Sequence, residues 1–258
     1  MKTTIGNYAQ RFILTGAALL VLIGGSSALP AARPKSDEQS RQVVPGIVTP
    51  RGEVVRGVRG KGQIAITFDA GANAECFDDL IAALEGAQVR STFFITGNFA
   101  QRHEQCAKAI TQHGHEIGNH TWNHADLTKQ PDEIVREEIT RAEMLLADIS
   151  GQSPRPRLRM PFGERNERVL RIAANLGYRS IYWTLDSLDS VEPRKTPEFL
   201  IDRITSKTDA ELDGAIILMH VGIKSTADAL PAIIADLQRR GFKLVTVSTL
   251  LESPHQTR

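Results

Sequence analysis

From Gly62 onward the chain alternates short, nearly charge-free apolar runs with longer stretches whose apolar residues recur at three- and four-residue steps. The runs "QIAITF", "VRSTFFIT", "YRSIYW", "GAIILM" and "FKLVTV" are rich in β-branched and aromatic residues and predict buried strands. Helices are predicted between them. One begins at Pro131, where Val135, Ile139, Ala142, Leu146 and Ile149 share a face and Glu and Arg occupy the other. Another, "TADALPAIIADLQRRG", ends in arginines and a glycine, residues that suit a helix C-terminus. Repeated alternation of strand and helix predicts an α/β fold with parallel strands, either a barrel or a doubly wound sheet.

The first residues follow a different pattern. Lys2 and Arg11 precede an apolar run from Phe12 to about Gly25, and Ser26 to Ala28 supply the small residues at which a signal peptidase cuts. The run is shorter than the ~20 residues a spanning helix needs, which favours an export signal cleaved after Ala28 over an uncleaved anchor. The chain therefore divides into an export signal or N-terminal anchor at 1–28, a linker at 29–60 and one folded domain at 61–258. The expected location is exported: periplasmic, secreted or associated with the cell envelope.

Composition narrows the classes of partner. A formal charge of +1 and 5% aromatic residues over 258 positions give no nucleic-acid surface. Membrane contact is expected only through an uncleaved N-terminal segment, and the pattern does not fix the oligomeric state. The basic run "RGEVVRGVRGK" reads as a solvated lead-in to the first strand. In an oxidising compartment Cys76 and Cys106 either pair or remain buried free thiols.

The unusual polar residues collect where strands end. Asp69 follows "QIAITF"; His120 and His124 follow "HEIGN"; Arg159 ends "RPRLRM"; Asp186 and Asp189 follow "SIYWTL"; His220 follows "GAIILM". In parallel α/β architectures that edge is where ligands bind. His113 and His115 precede a strand end and read as structural or surface residues, while His103 and His255 read as exposed. Trp122 and Trp183 read as core rings or as platforms for a sugar, and Asp186 as a turn residue or part of the mouth.

Five segments in order, "TFDAG" (Thr67 to Gly71), "HTWNH" (His120 to His124), "RMPFG" (Arg159 to Gly163), "DSLD" (Asp186 to Asp189) and "LMH" (Leu218 to His220), resemble the motifs of the polysaccharide deacetylase family, the NodB-homology domain of carbohydrate esterase family 4. The resemblance spans nearly all of the folded domain. It implies a distorted (β/α) barrel and a metal-dependent hydrolase that removes acetyl groups from N-acetylated glycans such as peptidoglycan or chitin.

The chemistry agrees with that implication. Amide hydrolysis at neutral pH needs an activated water, and a divalent cation lowers the pKa of bound water from about 15.7 toward about 7. His120 and His124 can converge on one point from a helical turn or a tight loop, and two nitrogen ligands favour zinc or another late first-row metal. Asp69 is the expected general base, oriented by Arg159, and the resemblance implies His220 as general acid supported by Asp189. It further implies the Phe162 backbone N–H as an oxyanion donor and Leu218 as a wall of the acetyl pocket, and Trp183 joins the candidate substrate residues as a stacking platform.

Two positions depart from the family pattern. Ala70 stands where a second aspartate completes the metal triad, leaving the third place to water, to Asn73, or to a shifted Asp69. Ser190 replaces an aromatic residue and opens one wall of the groove. Three functions follow: a metal-dependent carbohydrate N-deacetylase, a metal-independent or non-sugar amidase of the same fold, and a non-catalytic glycan-binding protein.

Overall fold

The structure, a computed structural model, describes residues 47–48 and 52–252. The N-terminal leader, most of the expected linker and His255 lie outside the described residues. Within them no helix is long and apolar enough to cross a membrane.

The strands are β1 (Ile47–Val48), β2 (Glu53–Arg56), β3 (Gln63–Ala70), β4 (Thr92–Ile95), β5 (Glu116–Asn119), β6 (Arg157–Leu158), β7 (Arg179–Ile181), β8 (Leu185–Asp186), β9 (Ile216–His220) and β10 (Lys243–Leu244). The helices are α1 (Phe77–Gly86), α2 (Gly97–Arg102), α3 (Glu104–Gln112), α4 (Asp132–Ser150), α5 (Glu167–Asn175), α6 (Pro197–Thr205), α7 (Asp209–Leu212), α8 (Lys224–Arg239) and α9 (Val247–Leu251). Hydrogen-bonded order runs β1-β2-β7-β6-β5-β4-β3-β9-β8, with β10 beside β3. Apart from the β1–β2 pair, every pairing is parallel, as helical crossovers require.

Only Tyr182, Trp183 and Thr184 separate β7 from β8, so one stretch of chain pairs with β6 at its start and with β9 at its end. Across that gap the Tyr182 N–H donates to the Val54 carbonyl and the Thr184 N–H to that of Ile216, each at 2.8 Å. The sheet thereby curls back on itself as the expected distorted (β/α) barrel.

Seven consecutive residues of β3, Ile64 to Ala70, are buried, as befits a parallel strand covered on both faces. Phe68 stacks on Phe93 of β4 with ring centroids 5.0 Å apart, and burying side chains of this size contributes about 1.5–3 kcal/mol each. On α4, Val135, Ile139, Ala142 and Leu146 form the buried stripe read from the sequence, Ile149 packs partly buried at its end, and Gly151 stops the helix at φ 69°.

Three sequence readings need correction. The basic run before residue 61 is no solvated linker throughout: Glu53 and Val54 in β2 are buried and pair with Ser180 and Ile181 of β7. "FKLVTV" is a strand only at Lys243–Leu244, because the Thr246 hydroxyl caps α9 by accepting the Thr249 N–H and so turns Val247 into a helix. Cys76 and Cys106 are both free thiols, each partly buried, so the disulfide alternative is not realised.

Candidate functional site

Asp69 lies one residue before the end of β3, His120 directly follows β5, Arg159 directly follows β6, Asp186 ends β8 and His220 ends β9. All sit at strand C-terminal edges, and Asp69, His120, His124, Asp186, Leu218 and His220 line a single cleft of about 580 Å³. That volume suits a small-molecule or sugar-sized ligand.

Arg159 organises one side of the cleft. Its guanidinium is fully buried and donates to Asp69 Oδ1 at 2.7 Å, to Thr67 Oγ1 at 2.9 Å and to the Ile181 carbonyl at 3.1 Å. Burial alone would raise the Asp69 carboxyl, but the Arg159 charge, with His120 and His220, brings it below its ordinary value. Asp69 is thus an ionised, oriented carboxylate beside the cleft. Its second oxygen lies 3.4 Å from His120 Nε2.

The other side is a carboxylate–imidazole unit. His220 Nδ1 donates to Asp189 Oδ1 at 2.7 Å, while the His220 N–H and the Thr226 hydroxyl donate to Oδ2 at 2.8 and 2.6 Å. Asp189 is fully buried, so these three donors satisfy a charge that would otherwise be costly. Burial opposes the imidazolium of His220, yet the Asp189 hydrogen bond and charge, with Asp69 and Asp186, hold its pKa above the ordinary imidazole value. With Nδ1 engaged, Nε2 is the nitrogen free to face the cleft.

The histidine pair is carried by a tight loop, not a helical turn. Thr121 and His124 both have positive φ, 67° and 60°. Glu138 of α4 fixes the loop by accepting the N–H groups of Trp122 and Asn123 at 3.0 and 2.8 Å, and Asn119 Oδ1 accepts that of Thr121 at 2.8 Å. His120 Nδ1 donates to the Arg159 carbonyl at 2.9 Å, which leaves Nε2 for the site. The His120 and His124 rings stand edge to face, centroids 4.8 Å apart. Burial, then the neighbouring His120, pushes His124 down to about 4, so it stays neutral with a free lone pair.

Two neutral imidazoles suit a late first-row cation, but the third donor is absent. Ala70 is a buried methyl packed in the main core, and among the described residues no three His, Cys, Asp or Glu side chains gather to hold a metal ion. Asn73 does not fill the gap: its Oδ1 accepts the Glu75 N–H at 2.9 Å and packs on Gly222, and it is not among the cleft's lining residues. The residues present therefore do not make a three-ligand protein site.

The rim is apolar. Phe162 has φ 58° and is 66% exposed, its ring edge-on to His124 at 4.5 Å. Next to it only glycine fits at position 163, where a Cβ would come within 2.6 Å of Trp183. Trp183 lines the cleft, stacked on Tyr182 at 3.9 Å, whereas Trp122 is buried under Arg141 and belongs to the scaffold. Ser190 is exposed on the cleft wall, as its small side chain suggested, with Val191 beside it. Of six non-glycine residues with positive φ among the described residues, Thr121, His124, Phe162 and Leu188 fall in these loops. Such backbone costs about 1–3 kcal/mol per residue and concentrates at working sites.

Of the three other histidines among the described residues, two follow the expected roles and one does not. His115 is buried and His113 pairs with Glu85 at the surface, but His103 is half-buried against Phe99 at 4.9 Å. Sequence reading missed Thr226, Glu138 and the pair Arg165–Glu53, which ties the Phe162 loop to β2. Only the fold brings these residues together, and no spacing in the chain signals them.

A family model described as polysaccharide deacetylase matches residues 56–181. Chitooligosaccharide deacetylase of Bradyrhizobium sp. (strain ANU 289) is 30% identical over 202 residues, covering 72% of this chain and 90% of that protein. Peptidoglycan-N-acetylmuramic acid deacetylase PdaA of Bacillus subtilis (strain 168) is 29% identical over 189 residues, covering 73% and 71%. Among solved structures, a CE4 family pseudoenzyme from Bacillus anthracis superposes with a TM-score of 0.73 at 26% identity, covering 79% of this chain and 70% of that one. A mutant of that protein with restored enzymatic activity superposes equally well, at 27% identity and covering 79% and 72%.

Proposed function

The chain belongs to the polysaccharide deacetylase family, and on that premise we propose that it is a hydrolase that removes N-acetyl groups from an N-acetylated glycan. The observation that carries the reading is a carboxylate and an imidazole facing one cleft, each held by a buried partner, Asp69 by the Arg159 guanidinium and His220 by the Asp189 carboxylate. Asp69 takes the proton of the attacking water. His220, protonated through its bond to Asp189, gives a proton from Nε2 to the departing sugar amine. Arg159 and Asp189 are positioning residues. The Phe162 N–H is the proposed oxyanion donor, and Leu218, in the cleft wall, receives the acetyl methyl.

Metal dependence belongs to the proposal in altered form. His120 and His124 are read as a weakened site for a zinc-class cation, which when bound would supply Lewis acidity and an acidified water. Acid–base transfer is assigned to the chain's own side chains. The leader supports action on a polymer outside the cytoplasm, with residues 1–28 acting as an export signal.

Acetate release from N-acetylglucosamine oligomers tests the reading, measured with added zinc and with chelator. Release that disappears in Asp69→Asn supports it; release insensitive to chelator points to the metal-independent amidase. Ala70 favours a second reading, a glycan-binding protein without turnover, supported by the Bacillus anthracis neighbour described as a pseudoenzyme. Glycan binding with no acetate release under any metal condition selects that reading.

A further inference from the structure

The charge lining the cleft bears on which sugar it accepts. Asp186 ends β8 in the cleft wall, and its Oδ1 accepts the Leu188 N–H at 2.8 Å, which fixes the carboxylate without neutralising it. Asp69 is balanced by Arg159 and Asp189 by His220. Asp186 has no such partner: no lysine or arginine lines the cleft among the described residues.

The neighbouring cations are held elsewhere. Arg203 donates at 2.6 Å to the backbone carbonyl of Asp186, not to its carboxylate, and Arg165 pairs with Glu53 and lies over Tyr182 at 3.7 Å. Arg102 is bound to the Gly71 and Ala72 carbonyls. Beyond Val191, Arg194 pairs with Glu192 at 2.9 Å and Lys195 donates to the Pro193 carbonyl at 2.9 Å. Beside the exposed Ser190 the rim presents apolar surface, Phe162 at 66% and Val191 at 45% exposure, and Trp183 lines the cleft. Such faces pack against the C–H surface of an uncharged pyranose, while a carboxylate entering the cleft would meet Asp186, the carboxylate there that has no ion-pair partner of its own.

We propose that the cleft selects a sugar without an ionised substituent, of the N-acetylglucosamine type, over a carboxylate-bearing sugar of the N-acetylmuramic acid type, and that Asp186 is the specificity-determining residue. The inference rests on the glycan-directed reading above and names its substrate class.

The test is calorimetric titration of the full chain with two tetrasaccharides. One is all N-acetylglucosamine; the other alternates N-acetylglucosamine with N-acetylmuramic acid. At low salt the neutral sugar is expected to bind at least about tenfold more tightly, a gap typical of like-charge juxtaposition and narrowed as salt screens it. Asp186→Asn keeps the acceptor for Leu188 and removes the charge, so it should raise the affinity of the carboxylate sugar and reduce the gap to about threefold or less. Val191→Arg should raise the affinity of the carboxylate sugar. Equal affinities in the wild type, a gap that survives Asp186→Asn, or no binding of either sugar overturns the inference. Acetate release assayed in parallel separates the two readings. Discrimination without release leaves selection standing and removes the hydrolase, whereas release from both sugars with equal affinity does the reverse.

Discussion

The backbone carbonyl of Arg159 receives the Nδ1 proton of His120 at 2.9 Å, while the guanidinium of the same residue holds Asp69 at 2.7 Å. One residue therefore sets both the tautomer of a ligand-type histidine and the orientation of the proposed base. The two elements it links, the ends of β5 and β3, are far apart in the chain.

Asp69→Asn should lower kcat/KM for acetate release by on the order of 10²–10⁴, the usual contribution of a positioned base. It also leaves the buried Arg159 without its counter-charge, so stability should fall by about 3 kcal/mol. Kinetics with the folded fraction measured by thermal melting separates the two effects. Activity unchanged after that correction would remove Asp69 from the chemistry.

The raised pKa of His220 sets the expected alkaline limb of the pH profile. As the proton donor, His220 is active while protonated, so activity persists above the ordinary imidazole value and is lost as pH rises through the raised one. Asp189→Asn removes the charge that holds the proton and should move that limb to lower pH as well as reducing kcat. A limb that stays in place would mean another group donates.

Ala70→Asp should increase zinc affinity by on the order of tenfold or more, since even outer-shell partners of a metal are worth 10–100-fold. Without metal the variant places a carboxylate where a fully buried methyl now packs, so its melting temperature should fall and then recover on adding zinc. Zinc-dependent melting curves of the two proteins read this directly, independent of turnover. Identical zinc responses would show that position 70 does not face the histidine pair.

His115 governs part of the acid stability. Burial, then the Arg90 and His113 charges, lowers its pKa to about 4, and its Nε2 has no hydrogen-bond partner. The unfolded chain binds a proton near pH 6.5, so the stabilisation is complete above that value and is lost progressively as pH falls from about 6.5 to 4, by up to about 3 kcal/mol. His115→Gln should flatten the denaturation free energy between pH 7 and 5. His120 and His124 shift the same way, so a reduced slope is expected in place of a flat line.

Much of this architecture is legible in the chain because chemistry and strand ends coincide. Asp69, His120, Arg159, Asp186 and His220 stand out as polar residues closing apolar runs, and the parallel topology sends all of them to one edge. Strand β2 escaped notice because "EVVR" offers only two apolar residues between charges; Glu53 is buried because Arg165, over a hundred positions away, meets it. Strand β8 escaped because it continues "YRSIYW" after a short gap and reads as the same run. The support that Thr226 gives Asp189 depends on where α8 begins over the barrel, a tertiary fact with no local periodicity.

The position of β2 decides where this domain can be cut. A fragment starting at residue 61 would strip the partner from the outer edge of β7, exposing unpaired backbone that invites association with other chains. It would also free Arg165 from Glu53 and so slacken the turn bearing Phe162. Any shortened version meant to keep its catalytic mouth intact has to begin before Glu53.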